Sequence, residues 1–368
     1  MVKYENDERI VLTLDAGGTN FVFSAMQANH QICEPIVLPS EGSKLDACLN
    51  NISLGFKKLS EQIFPKKPSA ISFAFPGPAD YPSGIIGDLG NLPAFRGGVP
   101  LGPMLEDMFK VPAFINNDGD LFAYGEAIAG FLPLVNQMLE KQNNPKRYNN
   151  LIGFTLGTGF GGGIVIDGKL LPGDNSASGE VWLMRNKLDP TINAEEGVSI
   201  RAIRGVYAEY CKLDLSDAPS PKDIYQIAQG QMPGNREAAI AAFKKMAEIA
   251  GDAISNAVTL VDGLVVIGGG ISGAYPLFLS DIVKEMNSQF NVSGKTFSRL
   301  EVKAFDMEDE NQKKDFLLSD AKEIAVPFSD RKVLYDSKKK IGVGISKLGT
   351  SNAVSVGAYV YALSKIDG

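Results

Sequence analysis

Three glycine clusters and a few carboxylates are the residues of this chain best suited to do chemistry. The first cluster is Asp15-Ala16-Gly17-Gly18-Thr19-Asn20, and the second is Gly157-Thr158-Gly159-Phe160-Gly161-Gly162-Gly163. Glycine lets backbone N–H groups approach an anion closely, and Thr19, Asn20 and Thr158 add side-chain donors, so both clusters suit the gripping of phosphates. A tight hairpin needs glycine even without a ligand. What favours a nucleotide is the pairing of two such tips, with the acid Asp15 beside the first. Neither tip contains GxxxxGK[ST], so a Walker-type NTPase is not supported. Gly157, Gly159 and Gly162 satisfy a GxGxxG spacing, but the run leads into the strand-like Ile164-Val165-Ile166 rather than a helix, the wrong context for a dinucleotide. The third cluster, Gly268-Gly269-Gly270, falls where a strand meets the start of a helix. A planar base or ribose could lie there against bare backbone, and helix–strand packing alone would also explain it.

The elements that must position these residues are short and alternate in type. Residues 10–14 and 21–26 are rich in β-branched and aromatic residues and read as a hairpin with the first glycine cluster at its tip. Residues 151–156 and 164–166 form a second such hairpin around the second cluster. Sliding the chain by about 142 residues lays Thr13 on Thr155, Leu14 on Leu156 and Gly17 on Gly159, which indicates an internal duplication. Between the hairpins, residues 70–75 and 113–115 read as strands, the second ending at Asn116-Asn117-Asp118. Residues 103–109 and 121–131 read as helices. The polar segment 137–150 reads as an exposed connection between two domains. Further on, 237–258 reads as a helix, 264–267 as a strand, and 352–366 as a closing helix with Val354, Ala358, Tyr361 and Ala362 on one side. Residues 300–340 are charged and without pattern, and read as an inserted surface excursion. Strands alternating with helices after each hairpin indicate an α/β protein of two related domains. The expected division is 1–130 plus 352–368 against 131–351.

Length and composition agree with this and narrow the function. A chain of 368 residues is long enough for two self-sufficient cores. With 36 Lys and Arg against 43 Asp and Glu, the net charge is −7, which repels phosphodiester backbones and anionic membranes, so neither nucleic acid nor membrane is an expected partner. Cys33, Cys48 and Cys211 fit neither a disulfide scaffold nor a CxxC site. The start MVKYENDERI is too charged for a secretory signal, and the uncharged stretch 263–280 is broken by three consecutive glycines and Pro276. A cytoplasmic protein is the expectation.

At this point a resemblance becomes specific. The first glycine cluster resembles the first phosphate motif of the ROK family of sugar kinases, within the wider superfamily of hexokinases, heat-shock chaperones and actin. The second cluster resembles that family's second phosphate motif, and Gly268-Gly269-Gly270 its adenosine motif. Gly90-Asn91-Leu92-Pro93, Asn117-Asp118, Gly179-Glu180 and Glu196-Gly197-Val198-Ser199 resemble the sugar-site blocks, in the family's order. The likeness runs from about residue 10 to 275 and resumes in the final helix.

The resemblance implies two actin-like (ribonuclease H-like) domains with a nucleotide and sugar cleft between them, and ATP-dependent phosphorylation of a hexose or N-acetylhexosamine on its primary hydroxyl. Asp118 would be the catalytic base. Asn91, Asn117, Glu180 and Glu196 would hold the sugar hydroxyls. Asp15, Gly17, Gly18, Thr19, Asn20, Gly157, Thr158, Gly159, Gly268, Gly269 and Gly270 would hold ATP, with Mg²⁺ near Asp15, through water. A homodimer would be in keeping with the family. Asn117-Asp118 also reads as a helix N-cap after a strand, which is compatible with catalysis. One departure stands out: zinc-type relatives carry a His where Leu183 stands, followed by a cysteine cluster, and residues 183–196 hold neither His nor Cys. No zinc site is expected, and sugar selectivity must be set differently. Two rival readings are a sugar-sensing regulator of the same family and an actin-like ATPase acting on a protein. The first requires a DNA-binding module ahead of the first phosphate motif, which here begins at Asp15. The second gives no reason for the Asn91, Glu180 and Glu196 blocks.

Overall fold

The computed structural model describes residues 3–17, 19–90 and 92–368. The chain divides into two compact units, one of residues 1–130, 163–179 and 348–368, the other of 131–162 and 180–347. Each is built on a mixed sheet.

In the first unit the strands lie in the order His30–Gln31, Asn20–Gln27, Val11–Ala16, Ala70–Ala74, Ala113–Asn116, with Ile36–Pro39 also paired to Asn20–Gln27. Val11–Ala16 and Asn20–Gln27 form the expected antiparallel hairpin, with Ala16 opposite Phe21. Ala70–Ala74 and Ala113–Asn116 follow in parallel. Strands buried on both faces read as continuous apolar runs, and Val11, Leu12 and Leu14 are all buried. One face is covered by the helix Leu45–Gln62, whose Phe56 packs edge-on against Phe23 and lies beside Phe73. Ala74, of opposite parity to Phe73, packs with Leu121 and Ala358. Those two residues come from the helices Asp118–Ile128 and Thr350–Asp367. These helices cross so closely that a Cβ on Gly125 would collide with the Ala353 carbonyl oxygen, and one on Gly357 with the Leu121 carbonyl oxygen.

The second sheet runs Lys169–Leu170, Phe160–Ile166, Leu151–Leu156, Leu264–Gly268, Lys340–Ile345, Lys303–Asp306. It repeats the first sheet's order, a hairpin at one side and parallel strands at the other, as the internal duplication suggested. Leu264–Gly268 pairs in parallel with both Leu151–Leu156 and Lys340–Ile345. The 26-residue helix Arg236–Val261 packs along this unit's core, burying Ala239, Phe243, Met246, Ala250 and Ile254.

Two expectations need correcting. The stretch 300–340 is not wholly a surface excursion. Lys303–Asp306 is a strand of the second sheet, parallel to Lys340–Ile345, and the helix Glu310–Leu317 buries Phe316. The pattern escapes notice because the buried apolar residues, Leu300, Ala304, Phe305, Met307 and Phe316, are few and scattered among charged ones, and one charged residue, Asp306, is itself buried. The hairpin Lys322–Ala325 with Lys332–Tyr335 is exposed throughout. The polar stretch 137–150 is likewise not a bare connection. The helix Phe131–Lys141 runs into it, Asn144 Nδ2 donates to the Leu317 carbonyl at 2.9 Å, and the buried Tyr148 stacks on Phe316 and donates to the Lys340 carbonyl. Amides and a phenol buried with partners look in sequence like solvated loop.

Candidate functional site

In the first unit the chemistry gathers at the carboxyl ends of parallel strands. The strand Ala113–Asn116 stops where Asn117 takes an extended conformation and caps the helix Asp118–Ile128, its Oδ1 accepting the Gly119 N–H at 2.7 Å. Asp118 is therefore the first helical residue, its own Oδ1 also 2.9 Å from the Gly119 N–H. Behind it the buried Asn116 accepts the Asn117 N–H through Oδ1 at 2.8 Å. Asp118 is exposed yet surrounded at longer range by protein. The resulting desolvation raises its carboxyl above the usual carboxylate range, with the Asp15 carboxylate adding to the rise and the Gly119 N–H opposing it. Asp15 itself is exposed, at the end of Val11–Ala16. On the tip beyond it, a Cβ at Gly17 would come within 2.8 Å of the Asn20 carbonyl, so that turn requires glycine. Thr19 and Asn20 are exposed, and the Thr19 carbonyl accepts the Ser40 N–H. Gly163, the last glycine of the second run, is a packing residue. A Cβ there would meet the Gly119 carbonyl and the Ala123 side chain of the Asp118 helix.

In the second unit the glycine tip and the third cluster are neighbours. The parallel register sets Gly268 beside Thr155. Gly269 then turns with φ of +89°, and a Cβ there would strike the Leu156 backbone. The Ile271 N–H donates to the Leu156 carbonyl at 2.9 Å, and the Gly157 N–H closes the tip on the Gly159 carbonyl at 3.0 Å. Gly270 and Thr158 are exposed, and Gly157 and Gly159 half-buried. Bare backbone from two distant segments is thus presented together, an arrangement suited to phosphate and nucleoside.

The acids of this unit are more specialised than the sequence suggests. Glu180 is half-buried and accepts the Trp182 indole N–H. Glu196 is exposed and paired with Arg201 on the helix Ile200–Cys211. Its neighbour Glu195, not among the expected site residues, reaches the glycine tip instead, Oε2 accepting the Phe160 N–H at 3.0 Å. The available signal was two consecutive acids in one short turn, which must point in different directions. Trp182 and Arg201 are thus each in contact with one of the predicted carboxylates. Leu183 is 58% exposed. Gly18 and Asn91 lie outside the described residues. Among the described residues, no three His, Cys, Asp or Glu side chains come together as a metal-binding group, and no helix is long and apolar enough to cross a membrane.

Two sheets of one order, each opening on a glycine-tipped hairpin, define an α/β protein of the actin-like ATPase fold. The ROK family profile matches residues 11–312, and the chain belongs to that family. It is similar to the glucokinase of Parabacteroides distasonis, with 54% identity over 98% of this chain and 99% of that one and a TM-score of 0.89. It is also similar to the N-acetyl-D-glucosamine kinase of Escherichia coli O157:H7, 26% identical over 276 residues, covering 70% of this chain and 83% of the relative. A ROK family glucokinase of Streptomyces griseus, solved in complex with glucose and AMPPNP, shares the fold, with a TM-score of 0.58 and 18% identity over 96% of this chain and 98% of that one.

Proposed function

We propose that this protein is an ATP-dependent sugar kinase that phosphorylates the primary hydroxyl of a hexose or N-acetylhexosamine. The observation that carries this reading is Asp118: a carboxylate at the first position of a helix, capped by Asn117 and raised in pKa by desolvation and by Asp15. The relatives that are glucokinases and N-acetylglucosamine kinases support the substrate class.

Asp118 accepts the proton of the attacking hydroxyl. A loose phosphoryl-transfer transition state needs that proton only late, so orientation matters more than basicity, and a raised pKa brings the base closer to working pH. Asn117, Glu180 and Glu196 bind sugar hydroxyls, the carboxylates accepting and the amide doing both. Trp182 and Arg201 hold the two glutamates in place. The glycine tips and Gly269-Gly270 take the nucleotide. Asp15 is an exposed hard-oxygen donor, which fits Mg²⁺ held by a single carboxylate, waters and phosphates. When bound, the ion would neutralise charge developing on the phosphates.

The rival regulator and protein-directed ATPase readings make opposite forecasts for one assay. Release of ADP should depend on added sugar, screened across glucose, mannose, fructose and N-acetylhexosamines. Hydrolysis indifferent to every sugar would refute the kinase reading.

A further inference from the structure

A cavity of about 670 Å³ opens at the end of the second sheet away from the glycine clusters. The strands Leu264–Gly268, Lys340–Ile345 and Lys303–Asp306 run parallel. Gly268 ends the first of them, whereas Lys340 and Lys303 begin the other two. Both lysines line the cavity, together with Lys338 and Lys339 of Lys338-Lys339-Lys340, the longest basic run in the sequence. The register sets Lys303 beside Lys340, and both ammonium groups stand over the Phe305 ring, at 5.0 and 5.9 Å from its centroid. Like charges so placed repel one another. The protein's own acids relieve this only in part. Asp320 serves both Lys338 and Lys340, at 2.9 and 3.3 Å, Glu301 meets Lys339 only at 3.6 Å, and Lys303 has no ion pair among the described residues. Lys340 is built into the wall. Its side chain is 10% exposed, and its Nζ also donates to the Asp315 and Leu318 carbonyls at 3.0 and 2.8 Å.

We propose that this cavity is a second ligand site, separate from the glycine clusters, and that it takes a phosphorylated sugar. The lysines supply the point charges that hold a phosphate. Its volume falls within the range of roughly 300–1,000 Å³ usual for small-molecule sites, far more than a bare phosphate fills. Glu301 and Asp315, which also line it, would repel a bare phosphate or a nucleic-acid backbone, yet they are acceptors for hydroxyl groups. Val302 and Leu318 offer an apolar wall to the face of a sugar ring. A sugar phosphate carries its charge at one end and its hydroxyls at the other, and so satisfies lysines and carboxylates together. Because the cavity and Gly268 lie at opposite ends of the same parallel strands, its occupant does not cover the proposed nucleoside seat. The ligand belongs to the class of the proposed reaction's product, so the site would sense product without competing for the nucleotide.

The test is calorimetric titration of the full chain with glucose 6-phosphate and N-acetylglucosamine 6-phosphate, with inorganic phosphate for comparison. At least one sugar phosphate should bind, and Lys303→Gln should weaken that binding by roughly 10-fold or more, the loss expected for one charge-assisted contact. Lys339→Gln, at a fully solvated position that bears little on folding, should weaken it in the same direction, and thermal unfolding establishes that both variants are folded. KM for ATP and for sugar, measured before product accumulates, should stay at the wild-type value in both. Binding of neither sugar phosphate, or binding that both variants leave unchanged, as product held only at the catalytic centre would give, overturns the proposal. Inorganic phosphate bound as tightly as the sugar phosphates overturns the assignment of the ligand. Failure of the kinase reading would appear separately, as ADP release indifferent to every sugar.

Discussion

Gly357 lies far along the sequence from any residue assigned to the chemistry, yet its substitution should damage catalysis through the helix that begins at Asp118. A Cβ at residue 357 would collide with the Leu121 carbonyl oxygen and stand 2.7 Å from its carbon, some 0.7 Å short of ordinary contact. Backbone on backbone leaves no side chain to rotate away, and the oxygen is nearer still, so in Gly357→Ala the two helices must separate by more than that distance. Overpacking of this kind costs about 1–3 kcal/mol, less the few tenths to 1 kcal/mol gained from alanine's helix propensity. For a unit of this size the midpoint of thermal unfolding should fall by about 3–8 °C. Leu121 follows Asp118 by less than one turn, so the displacement reaches the base. A misplacement near 1 Å lowers kcat by about 10- to 100-fold. Gly205→Ala, in the helix Ile200–Cys211 with open space around it, serves as the control and should be neutral or slightly stabilising. Thermal unfolding followed by circular dichroism, together with coupled ADP release, measures both quantities. A Gly357→Ala protein with unchanged midpoint and unchanged kcat would refute the reasoning.

Asp118→Asn should lower kcat by more than 10-fold with sugar binding retained; a smaller loss, under about 1.4 kcal/mol of barrier, removes Asp118 from the role of base. In the wild type, kcat/KM should fall toward acid pH with a limb above the ordinary aspartate value of about 3.9, and Asp15→Asn should move that limb downward, because Asp15 helps to raise the Asp118 pKa. A carboxyl raised on folding loses stability as pH rises through that window, so an acid loss of activity at this residue is not unfolding; circular dichroism across the range checks this. Gly269→Ala, which forces a side chain into a φ of +89° against the Leu156 backbone, should raise KM for ATP more than KM for sugar; equal effects on both would count against the adenosine assignment. Metal analysis should find no stoichiometric zinc, and chelation should stop turnover through loss of Mg²⁺ while leaving the unfolding midpoint in place. Turnover should extend to more than one hexose or hexosamine, with kcat/KM values within about 100-fold, because Leu183 leaves no buried imidazole to be stranded by the wrong sugar; strict use of a single sugar would refute this.

The glycine clusters were legible because their neighbours switch between alternating strand patterns and turn residues, and the hairpin, strand and helix order followed from that. The place of Asp118 at a helix start was legible because a strand ending in two asparagines announces a helix cap. What stayed hidden depended on contacts across long stretches of chain. Nothing local marks Gly163 as a packing glycine and Gly159 as a tip glycine, since both sit in one run. Glu195 and Glu196 are adjacent and chemically identical, and only the turn Ala194–Gly197 sends one to the Phe160 N–H and the other to Arg201. The strand Lys303–Asp306 was missed because its two ends are charged, although Asp306 is buried along with Ala304 and Phe305.

The parallel pairing that sets Gly268 beside Thr155 joins positions more than 100 residues apart. Such a contact forms only after a long loop has closed, and it belongs among the slow, topologically costly steps of folding. Gly269-Gly270 and the Gly157–Gly159 tip consequently come together late. A nascent chain or fragment ending before Leu264 would carry both glycine hairpins and still lack Gly269-Gly270, one side of the proposed nucleoside seat. On the proposed nucleotide reading, uptake would signal finished folding, and ligand-dependent protection of the Leu151–Leu156 amides against hydrogen exchange would time it.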